Sequence, residues 1–331
     1  MRASLAPGSG HPSRVALAFG PVPSRRLGRS LGINNVPPKV CSYGCVYCQV
    51  GATPSPQLEP RPIYPPEELA GAVARQVEQV RERGESIDYL TFVPDGEPTL
   101  DANLGREIEL LRHLEIPIAV ISNGSLAWRP EVRGALRTAD WVSVKVDAVR
   151  EATWRRVNRP TEELALETVL EGIRDLARGF PGRLVSETML VRGLNDDAAS
   201  VRRVAGFLGD VGIAAAYLAI PTRPPAEPEV RGPTEAAVVR AHQILSGRVP
   251  AVEYLVGYEG DAFASSGDAR ADLLSIGAVH PLRESAVRAL LDGSGSGWDV
   301  VEDLVRDGLL VPVTHAGERF YVRRFHERAS S

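Results

Sequence analysis

Residues 30–51 read SLGINNVPPKVCSYGCVYCQVG, and they hold all three cysteines of the chain, Cys41, Cys45 and Cys48. The run Ser30–Val36 reads as a short strand. It meets Pro37 and Pro38, which keep the chain extended, and then the pattern C-x3-C-x2-C with Tyr47 just before the last cysteine. An odd number of cysteines at such short spacings makes a poor disulfide framework. Three thiolates on one tight loop can instead bind three corners of a cubic iron–sulfur cluster and leave one iron without a protein ligand, open for reaction. The alternative is a zinc site completed by His or Asp, but zinc usually draws on two ligand pairs and no second cysteine pair exists here. Gly44, inside the loop, is expected to supply a positive φ for wrapping the cluster.

Downstream, short β-rich runs alternate with longer helical patterns. The strand candidates are Ser30–Val36, Asp88–Val93, Pro117–Ser122, Trp141–Val146, Leu184–Leu190 and Ala214–Ile220. The clearest helix lies between Pro65 and Arg83, with Leu69, Val73, Val77 and Val80 at helical spacing and Gly84 just past its end. Further helices are expected at 103–114, 130–138, 161–178 with Thr161 as N-cap, 197–208 and 234–246. Alternation of this kind predicts parallel strands with crossover helices, an α/β sheet either doubly wound or barrel-like. A proline-rich break at 221–233 follows the sixth strand, and 251–256 can add an edge strand. Beyond a polar linker at 257–269, helices at 269–276, 281–292 and 298–307 precede a hairpin, which suggests a small winged-helix-like domain. The expected division is a flexible N-terminus at 1–16, a barrel domain at 17–256 and the small domain at 257–331.

The 331 residues, 44% hydrophobic and 24% charged, exclude a disordered or fibrous chain. No apolar run approaches the roughly 20 residues needed to cross a bilayer, and the N-terminus lacks the apolar core of a secretory signal. The expected location is the cytoplasm. Residues 256–331 carry eight Arg against twelve Asp and Glu, which is the whole net charge of −4. A phosphate-binding surface would therefore be a local patch, such as Arg319, Arg323, Arg324 and Arg328 near the wing. Only Lys39 and Lys145 are lysines, and both fall in motif segments.

The cysteine pattern after the first strand of a six-strand βα series resembles the radical S-adenosylmethionine superfamily. Residues 19–51 resemble the branch that contains the wyosine tRNA synthases and their uncharacterised bacterial relatives. The resemblance implies a partial (β/α)6 barrel and two cofactors, a [4Fe–4S] cluster on Cys41, Cys45 and Cys48 and S-adenosylmethionine on the open iron. The reduced cluster would cleave the sulfonium to a 5′-deoxyadenosyl radical that abstracts hydrogen from a substrate. It also implies an external low-potential electron donor such as flavodoxin or ferredoxin.

By the same resemblance, Asp95-Gly96-Glu97-Pro98 is similar to the family's GGE-type motif for the cofactor's ammonium group, with Asp95 in place of the first glycine. Ser122-Asn123-Gly124 is similar to the segment that approaches the ribose or carboxylate, and Tyr47 precedes the last cysteine as the family aromatic. Lys145 and Asp147, two apart on the fourth strand, share a side; they either pair with each other or contact the cofactor. Met189 to Asp196 is similar to the family's fifth-strand segment, offering Met189, Arg192 and Asn195, with Glu187 beside them. Ile220 at the sixth strand end would pack on adenine, and Arg223 would reach the substrate. Trp154–Pro160 is a substrate-side candidate; Arg25 and Arg26 would neutralise an anionic ligand. The implied substrate is a tRNA base, although the second cluster of the wyosine synthases has no cysteines left to bind it. A peptide or small-molecule substrate, or a nucleic-acid-binding winged helix with a redox-sensing cluster, are the alternatives.

Overall fold

The structure is a computed structural model, and it describes residues 16–255, 267–279, 281–315 and 317–324. Two strands, β1 (Ala18–Ser24) and β2 (Gly28–Ile33), form an antiparallel hairpin. β1 is not among the expected strands, because AFGPVPS carries a glycine and two prolines; such residues are tolerated at a sheet edge, which is where it lies. There follow α1 (Pro66–Glu82), β3 (Tyr89–Phe92), α2 (Leu104–Leu111), β4 (Ile118–Ser122), α3 (Pro130–Leu136), β5 (Trp141–Lys145), α4 (Glu151–Asn158), α5 (Leu166–Ala177), β6 (Arg183–Met189), α6 (Ala198–Val211), β7 (Ala216–Ala219), α7 (Glu235–Ser246) and β8 (Val252–Leu255). These strands make one sheet in chain order, and all pairs from β2 to β8 are parallel. The sheet curls into a half barrel, with the six expected strands and β8 as the added edge.

Sidedness follows from the two-residue period of the strands. Leu90 and Phe92 of β3, Ile118 and Val120 of β4, and Val142 and Val144 of β5 turn outward into the main core, where the helices cover them. Ala119, Trp141, Val185 and Tyr217 turn inward and pack with Leu27 on the concave side. α1 shows how a helix is fixed to the outer face: Pro66 starts it, and Leu69, Val73, Val77 and Val80 are buried on one stripe. Each such side chain contributes roughly 1.5–3 kcal/mol of burial.

The helix expected from Thr161 begins instead at Leu166. The intervening residues leave α4 through Arg159 in the left-handed region, φ +45, and Pro160 bridges to Tyr43. That path returns the chain across the cysteine loop before it can turn into α5. α4 itself falls in a stretch first read only as a motif.

The C-terminal residues form α8 (Ala269–Val279), β9 (Leu282–Arg283), α9 (Glu284–Ser294), α10 (Asp299–Arg306), β10 (Leu310–His315) and β11 (Glu318–Arg323), with an antiparallel sheet in the order β10-β11-β9. α9 starts three residues later than expected because Leu282 and Arg283 pair with Tyr321 and Phe320. Leu273, Ile276, Val287, Leu304 and Leu310 share one apolar core with Phe19 and Val22 of β1. This continuity docks the C-terminal unit on the β1–β2 hairpin. The expected N-terminal tail and the linker at 257–269 lie largely outside the described residues. Among the described residues, no helix is long and apolar enough to cross a membrane.

Candidate active site

The cysteine loop leaves β2 and is clamped from two sides. On one side, Lys39 N donates to Asp95 O at 2.9 Å and Glu97 N donates to Val40 O at 2.9 Å, which ties the loop to the turn after β3. The approach is so close that a Cβ on Gly96 would lie 2.1 Å from Val40 O, so only glycine fits there. On the other side, Gly44 N donates to Asn158 O at 3.1 Å and Val46 N to Val157 O at 3.0 Å, both at the end of α4. Trp154 stands edge-on to Tyr43 at 5.8 Å and donates to its hydroxyl at 3.3 Å. The Trp154–Pro160 segment, expected to face substrate, therefore braces the loop. The left-handed residues flanking the loop are Lys39 (φ +68) and Gly51 (φ +86); Gly44 is not among the positive-φ residues, so its expected conformational role is corrected to the backbone contact just described.

The three cysteines carry free thiols. Among the described residues no three His, Cys, Asp or Glu side chains gather as ligands of a single metal ion. Burial pushes Cys45 up to about 12, and Asp147 adds to the rise. Cys41 is raised as well, through burial and then Glu97, and Cys48 is raised by burial against the pull of Lys39. Iron must therefore displace the protons as it binds. Asn123 Nδ2 lies 3.6 Å from Cys41 Sγ, and Asn158 Nδ2 lies 3.5 Å from Cys45 Sγ. Lys39 Nζ is buried without a hydrogen-bond partner, and burial lowers its pKa against the pull of Cys48, Asp95 and Cys41. Both carboxylate oxygens of Asp95 lack a hydrogen-bond partner as well; burial raises this group to about 7, opposed by Lys39 and by Arg323 of β11.

The sulfurs open onto a cavity of about 310 Å³, within the range of small-molecule sites. Its walls come from the C-terminal ends of successive strands: Gly96 and Glu97 after β3, Ser122 and Asn123 at the end of β4, Lys145 of β5, Glu187 and Met189 of β6, and Ala219 with Ile220 of β7. This is the face where parallel barrels build sites. Tyr47, Arg26 and Arg223 also line it, and Arg223 donates to Gln49 at 2.9 Å. Pro281, Leu282, Arg283 and Ala286 close it from the C-terminal unit. Glu97 accepts from the Thr99 hydroxyl at 2.6 Å, the Ser122 hydroxyl at 2.7 Å and Asn123 N at 2.7 Å, so it holds the end of β4 in place.

Lys145 and Glu187 are ladder partners across β5 and β6, and they form an ion pair that Arg26 joins at the second carboxylate oxygen. Burial alone would raise Glu187, but Lys145 and Arg26 together hold its carboxyl down at about 2. Of the two alternatives for Lys145, pairing with Asp147 or contact with the cofactor, its hydrogen-bonded partner proves to be Glu187, and Asp147 adds a weaker attraction. Asp147 faces away from the main cavity; it accepts from the Tyr47 hydroxyl, from Asn158 Nδ2 at 2.6 Å and from Met189 N at 2.8 Å. Asn195 is also behind the wall, where it donates to Asp147 O at 2.9 Å and Met189 O at 2.8 Å. Arg192 is exposed and does not line the cavity. Asp95 lies beneath the loop, between Lys39 and the C-terminal unit. Asn158 was not singled out individually, since an asparagine at a helix end carries no chemical signature until the fold brings it to a sulfur.

The profile of the radical SAM superfamily matches residues 35–204. A UPF0026 protein of Methanocaldococcus jannaschii is 40% identical over 95% of this chain and 98% of its own length. The structure of Streptococcus suis SuiB bound to S-adenosylmethionine is similar with a TM-score of 0.51 at 10% identity, covering 68% of this chain and 50% of that one. The structure of TYW1 with a lysine-pyruvate adduct bound has a TM-score of 0.49 at 16% identity, covering 67% and 74%.

Proposed function

The chain belongs to the radical SAM superfamily, an enzyme that uses a [4Fe–4S] cluster and S-adenosylmethionine, and from that premise we propose that Cys41, Cys45 and Cys48 hold the cluster at the cavity where the strand-end loops converge. The residues present fit it. Three sulfurs sit on one braced loop, and a buried ammonium without a hydrogen-bond partner, Lys39 Nζ, is attracted by Cys48, Asp95 and Cys41. When bound, the two cofactors supply one-electron cleavage of a sulfonium and hydrogen-atom abstraction from a substrate. The observation that carries the reading is that all three cysteines share one cavity with Gly96, Glu97, Ser122, Asn123, Met189 and Ile220.

The chain's own part is binding, orientation and exclusion of water. The turn at Gly96 and Glu97 offers backbone carbonyls and one carboxylate to the ammonium group of the cofactor. Ser122 and Asn123, held by Glu97, face its carboxylate or ribose. Met189 and Ile220 provide the apolar surface for adenine, and Lys145 with Arg26, both held by Glu187, present positive charge from the barrel floor. The C-terminal unit, which we read as winged-helix-like, walls the cavity through Leu282, Arg283 and Ala286 and so acts as a lid past which substrate enters. We assign a tRNA base as substrate and a flavodoxin or ferredoxin as electron donor. Arg223 and Arg283 stand at the substrate side.

The test is anaerobic reconstitution. The protein is expected to take up about four iron per chain and, when reduced with S-adenosylmethionine, to release 5′-deoxyadenosine. Deuterium transfer into that product from labelled tRNA, peptide and metabolite pools assigns the substrate. Transfer from peptide or metabolites alone would overturn the tRNA assignment, and absence of iron uptake would overturn the whole reading.

A further inference from the structure

Each cysteine has its own polar neighbour, and the three neighbours come from three different places in the fold. Asn123 reaches Cys41 from the loop after β4, at 3.6 Å, and Asn158 reaches Cys45 from the end of α4, at 3.5 Å. Lys39, on the approach to the loop, brings its Nζ to 3.2 Å from where a Cβ on Gly51 would stand, and Gly51 N donates to Cys48 O at 3.1 Å.

The two asparagines also bond within the protein: Asn123 accepts from Ser125 N and donates to Ser42 Oγ, both at 2.9 Å, and Asn158 donates to Asp147 at 2.6 Å. Lys39 holds φ +68, a conformation that glycine or asparagine adopts at lower cost. Its Nζ is buried without a hydrogen-bond partner, and the groups that attract it are Cys48, Asp95 and Cys41. Asn158 is buried too, and its Oδ1 is unpartnered while its Nδ2 is directed at Cys45, Asp147 and Tyr47. A cluster on three thiolates would add negative charge beside Lys39, and one added electron would increase it. Hydrogen bonds and positive charge at the sulfurs favour the more negative, reduced form.

We infer that Lys39, Asn123 and Asn158 are positioning residues that raise the reduction potential of the cluster, one through charge and two through hydrogen bonds to sulfur. This rests on the proposed cluster site and adds to it an electrochemical role for three residues that are not iron ligands, one of which, Asn123, also lines the cofactor cavity. It lowers the reducing power demanded of the electron donor.

The experiment is a potentiometric titration of the reconstituted full-length protein without S-adenosylmethionine or substrate, read by electron paramagnetic resonance after iron has been counted. Lys39→Met is expected to load iron and shift the potential downward by at least a tenfold change in the reduction equilibrium, 59 mV for one electron. Asn158→Leu is expected to shift it downward by less, and Lys39→Arg to restore most of the wild-type value. A wild-type protein that binds no iron would sink the cluster assignment itself. A Lys39→Met protein with full iron and the wild-type potential overturns the present inference alone. Should Lys39→Met fail to load, Asn158→Leu decides by the same readout: an unchanged potential in that variant overturns the inference, and a lowered one supports it.

Discussion

Two ends of one cavity are built on opposite principles. On the barrel floor, Glu187 accepts from both Lys145 and Arg26, and behind it Asp147 accepts from Tyr47, Asn158 and Met189 N. Every charge there has a counter-charge or a donor. On the cysteine wall, Lys39 Nζ and both oxygens of Asp95 are buried without hydrogen-bond partners, and burial keeps the three thiols protonated. The floor is complete as folded, whereas the wall is shaped for charge that is added afterwards. Floor substitutions should therefore damage the protein with or without its cofactors, and removal of a sulfur ligand or a charge from the wall should act mainly on the loaded form.

The largest expected effect is on the wall. Cys45→Ala removes the central ligand of the loop; iron uptake should fall from about four per chain to near zero, and 5′-deoxyadenosine formation should vanish with it. Circular dichroism and unfolding of the metal-free protein should stay close to wild type, because a free, half-buried thiol contributes little beyond its volume. A metal-free Cys45→Ala protein that fails to fold would break the distinction between wall and floor.

On the floor, Glu187→Gln leaves Lys145 and Arg26 buried against a neutral amide. Breaking one side of such a set costs roughly 3–5 kcal/mol, measurable by denaturant unfolding of the metal-free protein. The pH dependence fixes the sign. The Glu187 carboxyl sits at about 2 in the folded chain, against roughly 4.3 in an unfolded one. Its contribution is thus full above the unfolded value and is lost as pH falls through the folded one. The gap between wild type and Glu187→Gln should be wide at pH 6 and shrink progressively below pH 4. A gap independent of pH would mean the loss is one of packing rather than charge.

The floor and the wall also differ in how far they could be read from sequence. Strand positions were legible because the apolar runs are short and bounded by turns, and the cysteine spacing and the Gly96-Glu97 and Ser122-Asn123 turns gave the cavity wall. Register was not legible: Lys145 was expected to share a side with Asp147, yet its partner is Glu187, set by a ladder pairing between residues 42 apart. Side-chain direction past a strand end was equally hidden, which is why Asp147, Asn195 and Arg192 leave the cavity while Asn158 joins the sulfurs. β1 escaped notice because an edge strand tolerates the prolines that disguise it. The switch of the C-terminal unit from an appended domain to a wall of the cavity depends on Phe19 and Val22, and no local pattern announces a contact of that span.

A smaller effect tests how tightly the wall is held. Gly96→Ala places a methyl 2.1 Å from Val40 O, and the backbone must part at the Glu97–Val40 hydrogen bond. Overpacking of this kind costs roughly 1–3 kcal/mol and should lower iron uptake along with the midpoint of unfolding. Gly134→Ala in α3 has open space around it and serves as the control; helix propensity there should add roughly 0.5–1 kcal/mol. Equal losses at the two glycines would show that the close approach at Gly96 is not what fixes the loop.

The smallest expected change is also the one that separates the two ends most sharply, because its sign reverses with loading. In the metal-free protein, Lys39→Met removes an ammonium that has no hydrogen-bond partner and replaces it with a chain of similar length. The unfavourable burial of that charge disappears, so the variant should unfold at the same or a slightly higher denaturant midpoint, by up to about 1 kcal/mol. With the cluster bound, the same substitution forfeits an attraction to Cys48 and Cys41, and the stabilisation that loading confers should be smaller than in wild type. Glu187→Gln has no such reversal, since its partners are present in both states. If metal-free Lys39→Met were as unstable as metal-free Glu187→Gln, Lys39 would have to be paired within the protein, and the two ends of the cavity would be built alike.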